Sequence, residues 1–297
     1  MSEAWHLLVP LFSAGVYAVA ALLFKQAYGR GAGMMEAFYW MNFAGILAFG
    51  PLFLTVSGEM DWAQAWKPGV VGGMIFLGTW TTFAAIRAGD VSLVTPLMGT
   101  KVVLTALLAV ALAGTPLGAG LGAAAVLTTV GILVLGWRDL RGGWGKGAAV
   151  GWCLVSSLAF AATDVLVGHW AAGFGRGRFL GCAFCGIGLF SVAAAPWQAP
   201  GVLRVPRAAR PYLGWATGLM TGQTLAMALC NAHFNDPTRV NIVYGTRGLW
   251  SIGLVWFVGR RWFGNEERVA GGGAMGQRLA GSLLILSAVV TALLGKR

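Results

Sequence analysis

Ten long runs of apolar residues, separated by short stretches rich in Gly, Pro and charged residues, make up nearly the whole chain. The runs are apolar all round, and nearly all reach about 18 residues, enough for a membrane-spanning helix. Strands of a membrane barrel would be shorter and would alternate in polarity. The pattern therefore predicts an all-α membrane protein with ten spanning helices, at 5–24, 35–56, 69–86, 91–113, 119–137, 147–168, 179–196, 211–233, 238–258 and 275–294.

The composition supports the same class. Of the 297 residues, 57% are hydrophobic and only 10% are charged, whereas a soluble domain carries about 25% charged residues. This balance excludes an ordinary cytosolic enzyme, a disordered protein and a disulfide-rich secreted scaffold. No stretch between the runs is long enough to bury a core of its own, so we expect no soluble catalytic domain and no enzyme.

The net charge of +11 comes mostly from cations in the loops, which favours contact with anionic lipid over binding of nucleic acid. The termini and the even-numbered connections carry six Lys and Arg residues, and the other side of the membrane carries thirteen. By the positive-inside rule the richer side is cytoplasmic, which places both termini outside.

The two halves of the sequence resemble each other at an offset of 146 residues. The register holds without a gap from the first match to the last, and slips by 13 residues only in the final run. The matches that similar apolar composition does not explain are 28–31 with 174–177, Asp90 with Asp236, and 99–101 with 245–247.

We therefore divide the chain into repeats of five spans each, 1–146 and 147–297. Because five is odd, the second repeat enters the membrane from the opposite side. Inverted repeats are a hallmark of secondary transporters, whose site lies near the membrane midplane between the halves.

The sequence resembles the drug/metabolite transporter superfamily in its ten-helix form with two EamA-type repeats. The resemblance covers nearly the whole chain and is carried by the five-plus-five layout, the hairpin 88–97 and the Gly-rich fifth span. The Gly-Glu pair that many members carry after the fourth span is replaced by Gly114-Thr115-Pro116. The resemblance implies solute export or exchange by alternating access, in a cavity lined by helices one, three, four, six, eight and nine. It also implies a bacterial inner membrane with both termini inside, against the charge count.

Lys101 and Arg247 lie near the middle of the fourth and ninth runs, at matching positions of the repeats. A cation at that depth is costly and marks either a functional site or a buried ion pair. Asp164 is the one carboxylate clearly inside a run. Two buried cations against one acid predict a net positive cavity, suited to an anionic or carboxylate-bearing substrate. In the superfamily that the chain resembles, organophosphate translocators hold anions with basic residues on the same two helices.

Asp164 has two possible roles. Burial favours its neutral form and a neighbouring cation favours the carboxylate, so a group between these influences can exchange a proton and couple transport to it. Alternatively, Asp164 is a static counter-ion.

Polar and aromatic side chains on the presumed cavity helices complete the predicted site. Each alone is more often a contact between helices, but as a set they suit a binding cavity. The predicted substrate-binding residues beside Lys101 and Arg247 are Tyr17, Trp80, Thr100, Asn231, Asn241, Tyr244, Thr246 and Trp250.

The remaining motifs carry no chemistry. No His pair has the spacing of metal ligands, and Cys182 and Cys185 have neither a His nor a second Cys pair beside them. No Walker A motif occurs. We expect no metal and no cofactor.

The sequence therefore predicts a secondary transporter, an exporter or exchanger, of a small polar metabolite that is anionic or zwitterionic. Its expected partners are this solute and membrane lipids, and it is a monomer or homodimer. The alternative is a flippase or membrane-embedded enzyme acting on a phosphate-bearing lipid carrier, because Lys101 and Arg247 suit a lipid phosphate equally well.

Overall fold

The computed structural model describes residues 5–55, 61–88, 94, 97–114, 116–135, 137, 147–195, 204–250, 253–254 and 272–294. All regular structure in these ranges is helical, which confirms the predicted all-α class. The α helices are α1 (Leu8–Tyr28), α2 (Met34–Phe49), α3 (Trp66–Ala88), α4 (Lys101–Ala113), α5 (Ala119–Leu135), α6 (Gly147–Phe174), α7 (Arg176–Ala194), α8 (Arg210–Phe234), α9 (Pro237–Tyr244) and α10 (Gly272–Leu294).

Each predicted run contains one of these helices. Short 3-10 turns precede α1, α3 and α4 (Trp5–Leu7, Trp62–Gln64 and Met98–Thr100), and another follows α2 (Gly50–Thr55). Most of the hairpin 88–97 and the connection 259–271 lie outside the described residues. The helix α6 runs six residues beyond the predicted end of its run at 168.

Within the described ranges, five helical segments are long and apolar enough to cross a membrane, which confirms the membrane class. They are Trp5–Tyr28, Met34–Leu54, Trp62–Ala85, Gly147–Phe174 and Arg176–Ala194. Three shorter helices, Met98–Ala113, Ala119–Val134 and Ala280–Leu294, are also apolar. The count of ten spans remains a prediction.

The helices of the two halves pack mainly against each other. The helix α3 packs against α6 and α7, and α8 packs against α1 and α2. The pairs α2 with α7, α4 with α9 and α5 with α10 are also in contact. The bundle is therefore held together by contacts between the halves, with α5 and α10 forming one of its most extensive interfaces.

One end of the bundle, here named the terminal end, carries the starts of α1 and α9 and the ends of α8 and α10. The Asp236 carboxylate before α9 lies 3.7 Å from His6 Nε2 and 3.4 Å from Arg239 Nη1. Arg239 also donates to the Ala292 carbonyl of α10 at 3.2 Å, and the buried Cys230 thiol of α8 donates to the His6 carbonyl at 3.6 Å. These contacts bring the two ends of the described chain to the same side of the bundle.

The opposite end carries the end of α3 and the start of α6. Cys153, in the second turn of α6, is fully buried in an apolar cluster with Ala85, Val94, Leu97 and Ala149. Its thiol lies 4.0 Å from the Val94 carbonyl. Among the described residues, each end of the bundle thus has its own cluster of contacts.

Small residues let α3 and α7 approach closely. A Cβ added at Gly72 of α3 would lie 2.5 Å from the Ala183 carbonyl oxygen of α7, a backbone atom that cannot move aside easily. Three residues earlier on α3, a Cβ at Gly69 would meet nothing within 4 Å. The two glycines therefore share a helix but differ in what surrounds them.

We expect Gly72→Ala to lower the free energy of unfolding by about 1–3 kcal/mol, because the added methyl group overpacks the α3–α7 interface. Gly69→Ala is the matched control and should leave stability unchanged or slightly higher. Thermal unfolding of the detergent-purified variants measures both. Equal midpoints for the two variants would show that α3 and α7 do not approach as closely as described.

Candidate functional site

Two predicted spans are interrupted directly before their buried cations. In the fourth run, the 3-10 turn Met98–Thr100 precedes α4, which begins at Lys101. In the ninth run, α9 ends at Tyr244, a turn at 245–246 follows, and helical residues resume at Arg247. The two breaks are related by the 146-residue offset, and each places a cation at the first residue of the helical segment that follows.

The same side-chain bond closes both breaks. The Thr100 hydroxyl donates to the Leu97 carbonyl at 2.8 Å, and the Thr246 hydroxyl donates to the Val243 carbonyl at 2.8 Å. Each threonine thus donates its hydroxyl hydrogen to a carbonyl three residues earlier, and the Val243 carbonyl also accepts the Thr246 backbone N–H at 3.1 Å. The hydroxyl protons of both threonines are therefore not available to a substrate.

Glycine makes both breaks possible. A Cβ at Gly99 would collide with the Ile132 side chain of α5, and one at Gly245 would lie 2.7 Å from Thr128 Cγ2, one turn earlier on α5. Both breaks therefore pack directly against α5, and no larger residue fits at either position.

The first group of site residues is an ion pair with a supporting amide. Lys101 Nζ of α4 lies 2.7 Å from Asp164 Oδ2 of α6, and both side chains are about one-sixth exposed, at 17% and 16%. The Asn241 amide of α9 donates to the same oxygen at 2.7 Å and to the Pro237 carbonyl at 2.8 Å. Three helices thus meet at one carboxylate, which remains partly accessible.

The second group holds a cation between two aromatic rings. The Arg247 guanidinium carbon lies 5.0 Å from the ring centroid of Tyr17 on α1 and 5.0 Å from that of Tyr244 on α9. The rings meet edge to face, with centroids 6.1 Å apart. The guanidinium also makes a side-chain hydrogen bond with Tyr244, so stacking and this bond together hold it in place. A guanidinium has five N–H donors, more than this one bond uses.

The two groups are neighbours because Asn241 and Tyr244 lie one turn apart on α9. Together they draw on α1, α4, α6 and α9, all among the helices that the resemblance places around the cavity. The Lys101–Asp164 pair is electrically neutral, so Arg247 supplies the net positive charge of these residues.

Other predicted residues lie at or near these groups. The Trp250 ring lies 3.6 Å from the position of a Cβ on Gly15, two residues before Tyr17 on α1. Asn231 of α8 is only 1% exposed, and its carbonyl lies 3.5 Å from the position of a Cβ on Gly168, one turn beyond Asp164.

Trp80 stands apart from the other predicted residues. Within the described ranges its ring neighbours are Phe38 and Phe76, with centroids 6.0 and 6.3 Å away, in an aromatic cluster of α2 and α3. Its place in the structure is explained by packing.

Sequence reasoning missed Phe160, whose ring centroid lies 5.8 Å from Lys101 Nζ. Phe160 precedes Asp164 by four residues and therefore lies on the same face of α6. That spacing from the single intramembrane acid could have identified it. In the described ranges, no group of three or more His, Cys, Asp or Glu residues could hold a metal ion.

Comparison with known proteins shows the fold alone. The sequence matches no protein-family model, and no curated protein is significantly similar to it. The chain is similar to a protein of known crystal structure with a TM-score of 0.73 and 17% sequence identity, over 99% of each chain. The two proteins share an architecture over their whole lengths, and at this identity the likeness indicates nothing about substrate.

We expect Lys101→Met to lower the free energy of unfolding by about 3 kcal/mol, because it leaves a buried carboxylate without its cation. The double variant Lys101→Met/Asp164→Asn should regain most of this loss, since both charges are then absent. Lys67→Met, which removes a lysine bonded to Gln64 at 2.6 Å, is the control and should change stability little. A double variant no more stable than Lys101→Met alone would contradict the ion pair.

Proposed function

We propose that the chain is a secondary transporter of a small polar anion or zwitterion, working by alternating access as an exporter or exchanger. Arg247 holds the anionic group of the solute between Tyr17 and Tyr244. Asp164, paired with Lys101, is the group that couples transport to protons. On the charge count, the terminal end faces away from the cytoplasm.

The division of charge between the two groups carries this proposal. Lys101 is paired with the Asp164 carboxylate at 2.7 Å. Arg247 is held by the Tyr17 and Tyr244 rings, whose centroids lie 5.0 Å from its guanidinium carbon, and by a hydrogen bond with the Tyr244 side chain. Arg247 is also the first residue of a helical segment, and the helix dipole favours a negatively charged ligand at such a position. Arginine forms planar paired hydrogen bonds to carboxylate or phosphate, so an anion is the ligand that best suits this position.

The packing of the helices supports the inverted-repeat architecture in this proposal. Each helix has a counterpart in the other repeat, five helices earlier or later. Replacing helices by their counterparts converts the contact of α3 with α6 into that of α8 with α1. It converts the contact of α3 with α7 into that of α8 with α2. The pairs α2–α7, α4–α9 and α5–α10 map onto themselves. Such exchange is expected of two similar repeats related by a two-fold axis, with a site between them.

The position of the ion pair provides a way to couple proton binding at Asp164 to solute binding at Arg247. Protonation of Asp164 would remove its attraction to Lys101 and weaken the link between α4 and α6. Because Asn241 bonds the same oxygen, the change also reaches α9, which carries Tyr244. A proton on Asp164 and an anion at Arg247 thus act on the same helices.

The rival proposal is a flippase or membrane-embedded enzyme for a phosphate-bearing lipid. The Arg247 guanidinium suits a phosphate as well as a carboxylate. A soluble anion and a lipid phosphate are therefore distinguished by which ligands stabilise the protein.

We expect Arg247→Met to abolish stabilisation by anions in a thermal-shift screen of the detergent-purified protein. The screen covers amino acids, organic acids, neutral sugars, sugar phosphates, nucleotides, cationic drugs and phospholipids. A ligand at a hundredfold excess over Kd stabilises the folded wild type by about 2.7 kcal/mol, and the variant should lose this gain.

Arg30→Met is the matched control. The Arg30 guanidinium also stacks on a tyrosine, 4.0 Å from the Tyr212 ring centroid, but it is exposed. This variant should respond to anions as the wild type does. Stabilisation by cationic or neutral ligands alone would assign Arg247 a structural role, and stabilisation by phospholipids alone would favour the flippase.

We expect Asp164→Asn to uncouple proton movement from solute movement. In proteoliposomes loaded with a pH-sensitive dye, the anion that stabilises the wild type should drive a lumenal pH change. The variant should lose this change while retaining solute exchange, because asparagine keeps the polar contacts but cannot release a proton. An unchanged pH response would make Asp164 a static counter-ion.

A further inference from the structure

The interface between α1 and α8 contains buried polar atoms that no other group satisfies. Among the described residues, buried side-chain oxygens without a hydrogen-bond partner occur at Ser13 of α1 and at Thr217, Gln223 and Asn231 of α8. An unsatisfied polar atom in a membrane interior is costly, and each one in a native structure requires an explanation. All four belong to one pair of packed helices.

Two buried serine hydroxyls on other helices are satisfied. The Ser156 hydroxyl donates to the Gly78 carbonyl at 2.8 Å. The Ser191 hydroxyl donates to the Ile187 carbonyl at 2.8 Å and accepts from Asn42 at 2.8 Å. Among the described residues, the fully buried side-chain oxygens that lack a partner all lie on α1 and α8.

The register of α1 and α8 places two of these atoms at one level. The helices are antiparallel, since Cys230 contacts the His6 carbonyl at one end and Phe24 packs in a cluster with Leu213 at the other. Counting seven residues forward from His6 and seven back from Cys230 reaches Ser13 and Gln223. These two side chains are 1% and 8% exposed, respectively.

Tyr17 connects this level with Arg247. Tyr17 follows Ser13 by four residues and lies on the same face of α1, about 6 Å further along the axis. The Tyr17 ring contacts the Arg247 guanidinium. The Gln223 amide nitrogen is held by the Thr224 hydroxyl at 3.0 Å, which leaves its carbonyl oxygen as an acceptor.

We propose that Ser13 and Gln223 form a polar subsite beside Arg247 that binds a neutral hydrogen-bond donor, a hydroxyl or amide, of the transported anion. This inference rests on the proposed function. The Gln223 oxygen accepts the donor's hydrogen, and the Ser13 hydroxyl can in turn donate to the same group. Neither side chain is charged, so the subsite suits a neutral group rather than an ammonium. The substrate class is thus a hydroxylated or amidated acid.

The test measures binding of matched acids by the detergent-purified protein: butanoate with 4-hydroxybutanoate, and pentanoate with 5-hydroxypentanoate. Their terminal hydroxyls lie about 5–6 Å from the carboxylate, close to the axial step of one helical turn between Ser13 and Tyr17. We expect each hydroxy acid to bind about tenfold more tightly than its partner, because only it satisfies the buried acceptor.

Two variants locate this preference. Ser13→Ala and Gln223→Met should each reduce the ratio of affinities to below about threefold while leaving the affinity for butanoate and pentanoate unchanged. Ser191→Ala, which removes a satisfied buried hydroxyl far from the site, is the control and should keep the wild-type ratio. Arg247→Met should lose binding of all four acids.

Stability provides an independent readout. Ser13→Ala removes a hydroxyl that makes no hydrogen bond, so its thermal midpoint should equal or exceed that of the wild type. Ser191→Ala breaks two hydrogen bonds, and its midpoint should fall.

Three results would overturn the subsite: equal wild-type affinity for both members of each pair, a ratio unchanged in both variants, or a Ser13→Ala midpoint as low as that of Ser191→Ala. The first two leave the Arg247 site intact if Arg247→Met still abolishes binding. A wild-type protein that binds none of the four acids, nor any other anion of the thermal-shift screen, would overturn the proposed function and the subsite together.

Discussion

A lysine and an aspartate 2.7 Å apart inside a helical bundle are the constraint on which the rest of the molecule depends. Either charge alone would be costly at that depth, and together they are tolerated only with close geometry and further hydrogen bonds. The Asn241 amide supplies such a bond. Because the three residues come from α4, α6 and α9, one local requirement for neutrality fixes how three helices meet.

Lys101 and Arg247 each follow directly after a short interruption of an α helix. Thr100 and Thr246 supply the same bond at both breaks, and Gly99 and Gly245 allow both to rest against α5. The sequence Gly-Thr-Lys or Gly-Thr-Arg is therefore a structural unit. Its glycine allows close contact with α5, its threonine donates to a carbonyl, and its basic residue begins the next helical segment.

The helical membrane class could be predicted from the amino-acid sequence, because helices that cross a membrane require long apolar runs. Lys101, Asp164 and Arg247 could also be chosen from the sequence as candidate site residues, because charged residues are rare deep inside a membrane. Their different partners, a carboxylate for Lys101 and tyrosine side chains for Arg247, could not be predicted. Pairing depends on how α4, α6 and α9 are rotated about their axes. The packing of Trp80 against Phe38 and Phe76 could not be predicted for the same reason, because a tryptophan on a presumed cavity helix can equally face a neighbouring phenylalanine. The helix breaks went unpredicted because glycine and threonine are common in unbroken membrane helices.

The clusters at the two ends of the bundle have a practical consequence for thiol-labelling experiments. Cys230 lies beneath the His6 carbonyl at the terminal end, and Cys153 lies within the apolar cluster at the opposite end. Both thiols are shielded from solvent. The chain thus carries one buried thiol in each cluster, and the labelling rates of these two thiols report the exposure of one end of the bundle independently of the other.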